Sequence, residues 1–312
     1  MDTLEKPLLS LCIPTYNRAA ELQQMLENLV SLDVFKNSTE IEAIVSDNAS
    51  TDNTEQVARS FVERFPTRIS YYRNAENVID RNFGIALSKG KGIFLKLSND
   101  TLLHTEAGLR HTLDAIRRHA DEKPMLCFRS LPERAPDRRF TSLDDFWQVR
   151  SFHSTWIAEF GTWQSDFTSA EDYNRNADTH LTQVDFLLRQ MSAKTNAVII
   201  QDLFFTQVKR TRIGQGGVNA ALIFGQYYFD LLFPYVKSGE ITNSTWQQEK
   251  WNIFRYLVLN NFLITSPLYR FPKDHYVKHL FKYYKWKWYF WVSIPFVLVA
   301  RVVAPIRYWL DR

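Results

Sequence analysis

The chain has 312 residues, 45% of them hydrophobic and 23% charged, with a formal net charge of +4. That is enough for one large domain or two small ones around a sizeable core. The two cysteines, Cys12 and Cys127, both lie in apolar runs, which excludes cysteine spacing of the metal or redox kind and predicts inert buried thiols in a reducing compartment.

The N-terminal stretch MDTLEKPLLSLCIPTYN has no basic start followed by a long apolar core, and no small-residue cleavage site. No secretion signal is read there, and the chain is expected in the cytoplasm. Residues 8–13 read as a strand. Residues 19–32 read as a helix, with Leu22, Met25, Leu26 and Leu29 at helical spacing. A strand at 41–46 and a helix at 51–65 follow, the helix with Val57, Phe61, Val62 and Phe65 on one side. Then come a strand at 69–73, a helix at 81–88, a strand at 93–97, a helix at 106–119 and a strand at 125–128. This alternation predicts an α/β fold with a mostly parallel sheet and helices on both faces, and ligands at the carboxyl ends of the strands.

Past residue 130 the pattern changes. The stretch SLPERAPDRRFTSLDDFW is polar and turn-rich, and reads as a loop or a crossing to a further binding region. Helices are predicted at 179–192, 219–236, 243–263 and 274–284, with the basic, glycine-containing loop KRTRIGQGGVN before the second. From Arg270 to Arg312 there are nine Lys or Arg against two Asp, together with many aromatic residues. Residues 288–300 are apolar except for Ser293, too short for a span of roughly 20 apolar residues, and interrupted by Pro295. An aromatic, basic segment of this kind suits the membrane interface. A core helix or an oligomer contact is the plainer alternative.

Three polar clusters sit directly after predicted strands: Pro14-Thr15-Tyr16-Asn17-Arg18, Asp47-Asn48-Ala49-Ser50-Thr51-Asp52, and Ser98-Asn99-Asp100. Parallel strands bring such clusters to one edge. Each alone is also explained by capping or turns, and Ser50, Thr51 and Asp52 suit a helix start.

LLSLCIPTYNRAAEL, IVSDNASTDNT and DRNFGIALSKGKGIFLKLSND, in that order and spacing, resemble the inverting family 2 glycosyltransferases of the GT-A fold. The resemblance covers roughly residues 8–105, and it implies a nucleotide-binding half at 1–105 and an acceptor half at 106–215 of a GT-A domain. A helical region at 216–312 would follow, its tail at 285–312 resting on the membrane. It implies that Pro14, Tyr16 and Arg18 wrap the nucleotide, and that Asp47 accepts from a pyrimidine N3–H, favouring a UDP-sugar. Arg81, opening the Arg-Asn-x-Gly stretch, would approach the diphosphate or donor sugar, with Asp80 binding sugar hydroxyls or Arg81. Ser98-Asn99-Asp100 falls on the family's Asp-x-Asp metal motif with its first acid replaced. Asp100 is then the metal ligand for Mn²⁺ or Mg²⁺, weakly held, with Asn99 or Ser98 supplying a neutral oxygen. Arg210 and Arg212, with Lys209, are candidates to close over the leaving group.

An inverting transfer needs a base beside the acceptor hydroxyl. Asp172, in a Glu-Asp pair, Asp178, just before the run Leu181, Val184, Leu187 and Leu188, and His180 are the candidates, Asp178 being preferred for its placement. The implied acceptor is a glycan or lipid-linked glycan in capsule, O-antigen or related polysaccharide synthesis, at the inner face of the cytoplasmic membrane. No nucleic acid partner is expected. Two other readings stay open: a CDP-, GDP- or dTDP-sugar donor, and a non-catalytic nucleotide-binding or scaffold protein on the same fold, motivated by the missing acid.

Overall fold

A computed structural model describes residues 6–170, 172–208, 218–264, 275–296 and 299. Chain order in the first half is β1 (Leu9–Thr15), α1 (Ala19–Ser31), α2 (Asp33–Lys36), β2 (Ile41–Asp47), α3 (Thr54–Arg64), β3 (Ile69–Arg73), α4 (Arg81–Ser88), β4 (Phe94–Leu97), β5 (Leu102–His104) and α5 (Glu106–His119). Next come β6 (Met125–Ser130), β7 (Ala135–Phe140), α6 (Leu143–Arg150), β8 (Gly161–Trp163), α7 (Gln164–Ser169), α8 (Thr182–Lys194), β9 (Ala197–Asp202) and β10 (Phe205–Gln207). Helices α9 (Ala220–Leu222), α10 (Tyr228–Ser238), α11 (Asn243–Ile264) and α12 (Tyr276–Tyr284) complete the described elements.

The main sheet runs β3-β2-β1-β4-β8. Its first four strands are parallel, and β8 joins β4 antiparallel. β1 and β2 are buried along their whole length, as strands covered on both faces must be. Leu11 and Ile13 join Leu22, Leu26 and Val45 on one face, whereas Cys12, between them, joins Ala86, Leu87 and Leu97 on the other. The second cluster continues through Val184 of α8 to Tyr228 and Leu280, so the C-terminal helices share a core with the sheet. Both cysteines are free and buried, as expected, and burial pushes both thiols up, Cys127 to about 11.

Chain order reverses at β1, with β2 on one side and β4 on the other. Connections leave in opposite directions there, which opens a crevice at the carboxyl ends of β1 and β4.

Three differences from the sequence reading have physical causes. The strand beginning at Met125 lies in a second sheet, β6-β9-β7. The stretch read as a loop contains β7 and α6, because β7 is an edge strand whose exposed Pro136, Arg138 and Arg139 hide its period. The helix expected at 219–236 is interrupted by a π turn, Ile223–Tyr227, where a Cβ on Gly225 would meet Leu280 Cδ2 at 2.5 Å. The missing side chain there lets α12 pack close.

Candidate active site

The three polar clusters converge at the crevice. Asp100 follows β4 and is fully buried. Thr15 Oγ1, at the end of β1, donates to Asp100 Oδ2 at 2.8 Å, and Arg18 Nη1 donates to Oδ1 at 2.8 Å. The Arg18 side chain is 50% exposed and the Asp100 side chain 1%, so the guanidinium covers the carboxylate from the solvent side. Burial pushes the Asp100 carboxyl above its usual range, with Arg18 and Thr15 pulling against it.

The other two motif positions face different ways. Ser98 Oγ hydrogen-bonds His104 Nε2 at 2.9 Å inside the core, and burial, aided by Lys96, drives the His104 imidazole down to about 3. Ser98 is thereby buried and engaged with a core histidine. Asn99 Oδ1 is buried without a hydrogen-bond partner. Among the described residues no three acidic, His or Cys side chains are grouped to hold a metal. One engaged carboxylate and one orphaned amide oxygen suit a cation that brings phosphate ligands with it, and do not suit a resident ion.

Loops after β1 and β2 are stitched together. Asn17, with φ 51°, donates its N–H to Ser50 Oγ at 2.8 Å and accepts from Thr51 N at 2.7 Å. Asp52 accepts from Ala19 N at 3.1 Å and from Thr54 N at 3.0 Å, tying the starts of α1 and α3. Asp52 thus acts from the residue before the N-cap, Asn53, and the helix itself begins at Thr54, later than residue 51. Pro14 is buried in β1, and Tyr16 stands 42% exposed at the rim, available to a base.

Asp47 is fully buried. Its Oδ1 accepts from Ser50 N at 2.9 Å, and its Oδ2 accepts from Tyr71 Oη at 2.7 Å and Arg73 Nη1 at 3.4 Å. Asp47 is thus already engaged by three donors in a fully buried setting.

Helix α4 is anchored to the end of β2 by asparagines that the sequence reading passed over. Asn82 Oδ1 accepts from Ser46 Oγ at 2.6 Å and Asn74 Nδ2 at 2.9 Å, while its Nδ2 donates to Ser46 O at 2.9 Å. Asn48 Nδ2 donates to Asn77 Oδ1 at 2.8 Å and Ile79 O at 3.1 Å. A Cβ on Gly84 would lie 2.6 Å from Asn174 Oδ1 and 2.9 Å from Tyr173 Cδ1. Glycine at that place in Arg-Asn-x-Gly lets segment 172–180 close on α4.

That closure brings two of the three base candidates, Asp178 and His180, to the start of α4. Arg81 Nη2 lies 3.6 Å from Asp178 Oδ1, with both side chains exposed. Asp80, expected to bind sugar hydroxyls or Arg81, is paired in the structure with neither Arg81 nor another basic residue of its own helix: its Oδ2 hydrogen-bonds His180 Nδ1 at 3.0 Å. Helix α8 begins at Thr182, four residues after Asp178, so Asp178 is not its N-cap. Asp172 is exposed, and its Oδ1 accepts from Asn174 N at 3.0 Å in a local turn. Lys209, Arg210 and Arg212 lie outside the described residues.

The model of the glycosyl transferase family 2 domain matches residues 10–178, more than half of the chain, including the three polar clusters and Asp178 but not His180. The chain belongs to glycosyl transferase family 2. Its similarity to curated family members is partial. It is 31% identical to abequosyltransferase RfbV of Salmonella typhimurium over 155 residues, 48% of this chain and 41% of that protein. It is 32% identical to validoxylamine A glucosyltransferase of Streptomyces hygroscopicus subsp. jinggangensis over 127 residues, 39% of this chain and 28% of that one. The chain thus spans well under two thirds of the length of these relatives. Among solved structures, the mannosyltransferase PcManGT of Pyrobaculum calidifontis, in complex with GDP-Man and Mn²⁺, superposes with a TM-score of 0.57 at 14% identity, covering 96% of this chain and 87% of that one. TarS of S. aureus superposes with a TM-score of 0.53 at 14% identity, covering 81% of this chain and 43% of that one. At such identities the likeness bears on the fold alone, and that fold is GT-A: a mostly parallel sheet flanked by helices, with a helical C-terminal region.

Proposed function

We propose that this family 2 chain transfers a sugar from a nucleotide-sugar, UDP-linked by preference, to an acceptor hydroxyl with inversion. The observation that carries this reading is the convergence of Thr15, Arg18 and Asp100 at the β1–β4 crevice, inside the stretch matched by the family model. The loop of Pro14, Tyr16 and Arg18 receives the nucleoside, and Tyr16 offers its ring face to the base. Arg18 and Arg81 offer guanidinium forks to the diphosphate, and Arg210 and Arg212 are further donors to it. Asp100 and Asn99 are the residues that would hold Mn²⁺ or Mg²⁺, which when bound supplies positive charge for the departing diphosphate. The acceptor proton passes to one of Asp172, Asp178 or His180.

The acceptor is a glycan or lipid-linked glycan of a cell-surface polysaccharide, worked on at the inner face of the cytoplasmic membrane. Two observations support that setting. One relative is an abequosyltransferase. The other is the surface after α12, where Trp286, Trp288, Trp291 and Phe296 are exposed beside Lys285 and Lys287. Among the described residues no helix is long and apolar enough to cross a membrane, so the contact would be interfacial. The burial of Asp47 and the three hydrogen bonds it already accepts favour a second reading of the donor, a GDP- or CDP-sugar; thymine carries the same N3–H as uracil, so a dTDP-sugar stands as a further alternative without that support.

Calorimetry with UDP, CDP, GDP and dTDP and their sugar conjugates, in EDTA and with Mn²⁺, tests both. Tightest binding to UDP, strengthened by Mn²⁺, is expected. Preference for GDP would replace the donor, and absence of binding to every nucleotide would remove the transferase reading.

A further inference from the structure

Asp80 occupies the N-cap of α4, where an aspartate ordinarily accepts a hydrogen bond from an N–H of the first turn. Its side chain makes no such cap bond. It reaches instead to a residue 100 positions away, His180 Nδ1 at 3.0 Å. His180 is held in a left-handed backbone conformation, φ 62° and ψ 22°, between the short 3₁₀ turn Ala177–Thr179 and α8. Non-glycine residues adopt that conformation uncommonly, histidine more readily than most, and here it turns the chain between the two elements. The imidazole is partly buried, 29% exposed, and the Asp80 carboxylate 18%. Nδ1 is committed to the carboxylate, and Nε2 has no hydrogen-bond partner among the described residues.

We propose that His180 is the general base of the transfer and Asp80 its positioning residue. This rests on the transferase reading above and resolves the choice it leaves among three groups. Asp80 fixes the tautomer with the proton on Nδ1, which leaves the Nε2 lone pair free to accept a proton. Nε2 takes the proton of the acceptor hydroxyl as that oxygen bonds to the anomeric carbon. The bond from that carbon to the phosphate oxygen breaks, and the nucleoside diphosphate departs with the electron pair. The imidazolium, stabilised by Asp80, then returns its proton to water.

The location agrees with this role. Asp80 directly precedes Arg81, and α4 is pinned to the end of β2 through Asn82 and Ser46. The base therefore stands at the same sheet edge as the donor loops, on a rigid support. The alternatives are less suited. Asp178 is 90% exposed and shares its charge with Arg81. Asp172 is exposed and turned into a local backbone bond. A base works best with a pKa near the working pH, where imidazole begins. The charged groups acting on His180 are Asp80 of α4 and Asp178 of its own turn, both of which raise it, while partial burial lowers it, for a net rise. Arg81 moderates Asp178, and the buried Tyr173 hydroxyl lies in the field of Asp80.

The experiment uses the full chain, the nucleotide-sugar bound most tightly in the calorimetric panel, and water as the acceptor, following nucleoside diphosphate release against pH. His180→Gln should lower turnover by at least ~100-fold and abolish the acidic limb of kcat/KM, with the nucleotide Kd within about threefold of the parent. Asp80→Asn should keep an acidic limb but move it to lower pH, because the carboxylate that raises His180 is gone. NMR titration of the histidine Cε1–H resonances gives an independent reading: His180 should titrate above the ordinary range in the parent and fall back in Asp80→Asn. Parental turnover in His180→Gln, or an unmoved limb and an unmoved His180 titration in Asp80→Asn, overturns the dyad. So does full loss in Asp178→Asn while His180→Gln keeps its activity. Intact nucleotide binding with any of these results fails the dyad alone, whereas loss of binding in the parent fails the transferase reading itself.

Discussion

At the carboxyl edge of the sheet, buried polar groups are held by directional hydrogen bonds, Asn99 Oδ1 being an exception. Asp100 has Thr15 and Arg18, Ser46 has Asn82, and Asp47 has Ser50, Tyr71 and Arg73. In the C-terminal helices the contacts are between rings: Phe229 packs against Trp246, Tyr283 and Tyr284, with centroids 5.1, 5.2 and 5.9 Å away. The same aromatic series then continues into solvent at Trp286, Trp288 and Trp291, exposed by 88%, 75% and 52%. A directional network fails when one partner is removed, because the other is left buried and unsatisfied. An aromatic surface loses binding area in proportion to what is cut away. Single substitutions should therefore act sharply at the sheet edge and gradually in the tail.

The largest effect is expected at Asp100. Asp100→Ala removes the acid and leaves Arg18 and Thr15 without their partner, and turnover in a nucleotide-sugar assay should fall by about 10²–10³-fold with the circular dichroism spectrum unchanged. Parental turnover would remove Asp100 from the site. Next comes Asn82→Ala, which strips hydrogen bonds from Ser46 and Asn74 in a buried setting. Urea unfolding should register a loss of about 2–3 kcal/mol. A change below about 0.5 kcal/mol would mean that water replaces the amide and that the edge is less tightly coupled than its geometry implies. The smallest effect on the fold, and a graded one on function, is expected from replacing Trp286, Trp288 and Trp291 by Ala. Sedimentation with phosphatidylglycerol-containing vesicles should show at least ~10-fold weaker binding for the triple variant, intermediate losses for single ones, and unchanged stability. Unchanged vesicle binding would assign those rings to another surface.

Much of the first half is legible because its elements are short, buried and regularly spaced. The strand Ile69–Arg73 and the helices Arg81–Ser88 and Glu106–His119 fall where their apolar periods place them. Thr105, whose Oγ1 accepts from Gly108 N at 3.0 Å, supplies an ordinary cap for the last of these. The short strands β8 and β10 have no such signal, since three residues carry no period and their pairing is set by β4 and β5. Within the site, the positions of Asp100 and Arg18 follow from motif order, but their mutual bond does not. They are 82 residues apart and meet only because β1 and β4 are neighbours.

The sequence by itself determined the α/β alternation, the family to which the motifs belong, the two inert thiols and the aromatic basic tail. These depend on local period, composition and short spacings, which the chain carries along its length. The tertiary structure decided which polar groups face one another: that Arg18 covers Asp100, that Ser98 is spent on His104, that Asp47 is already engaged, and that Asp80 takes His180 and not Arg81. Hydrogen-bond partners are chosen by distance and direction after strands have paired and helices have packed, and no one-dimensional pattern records that choice.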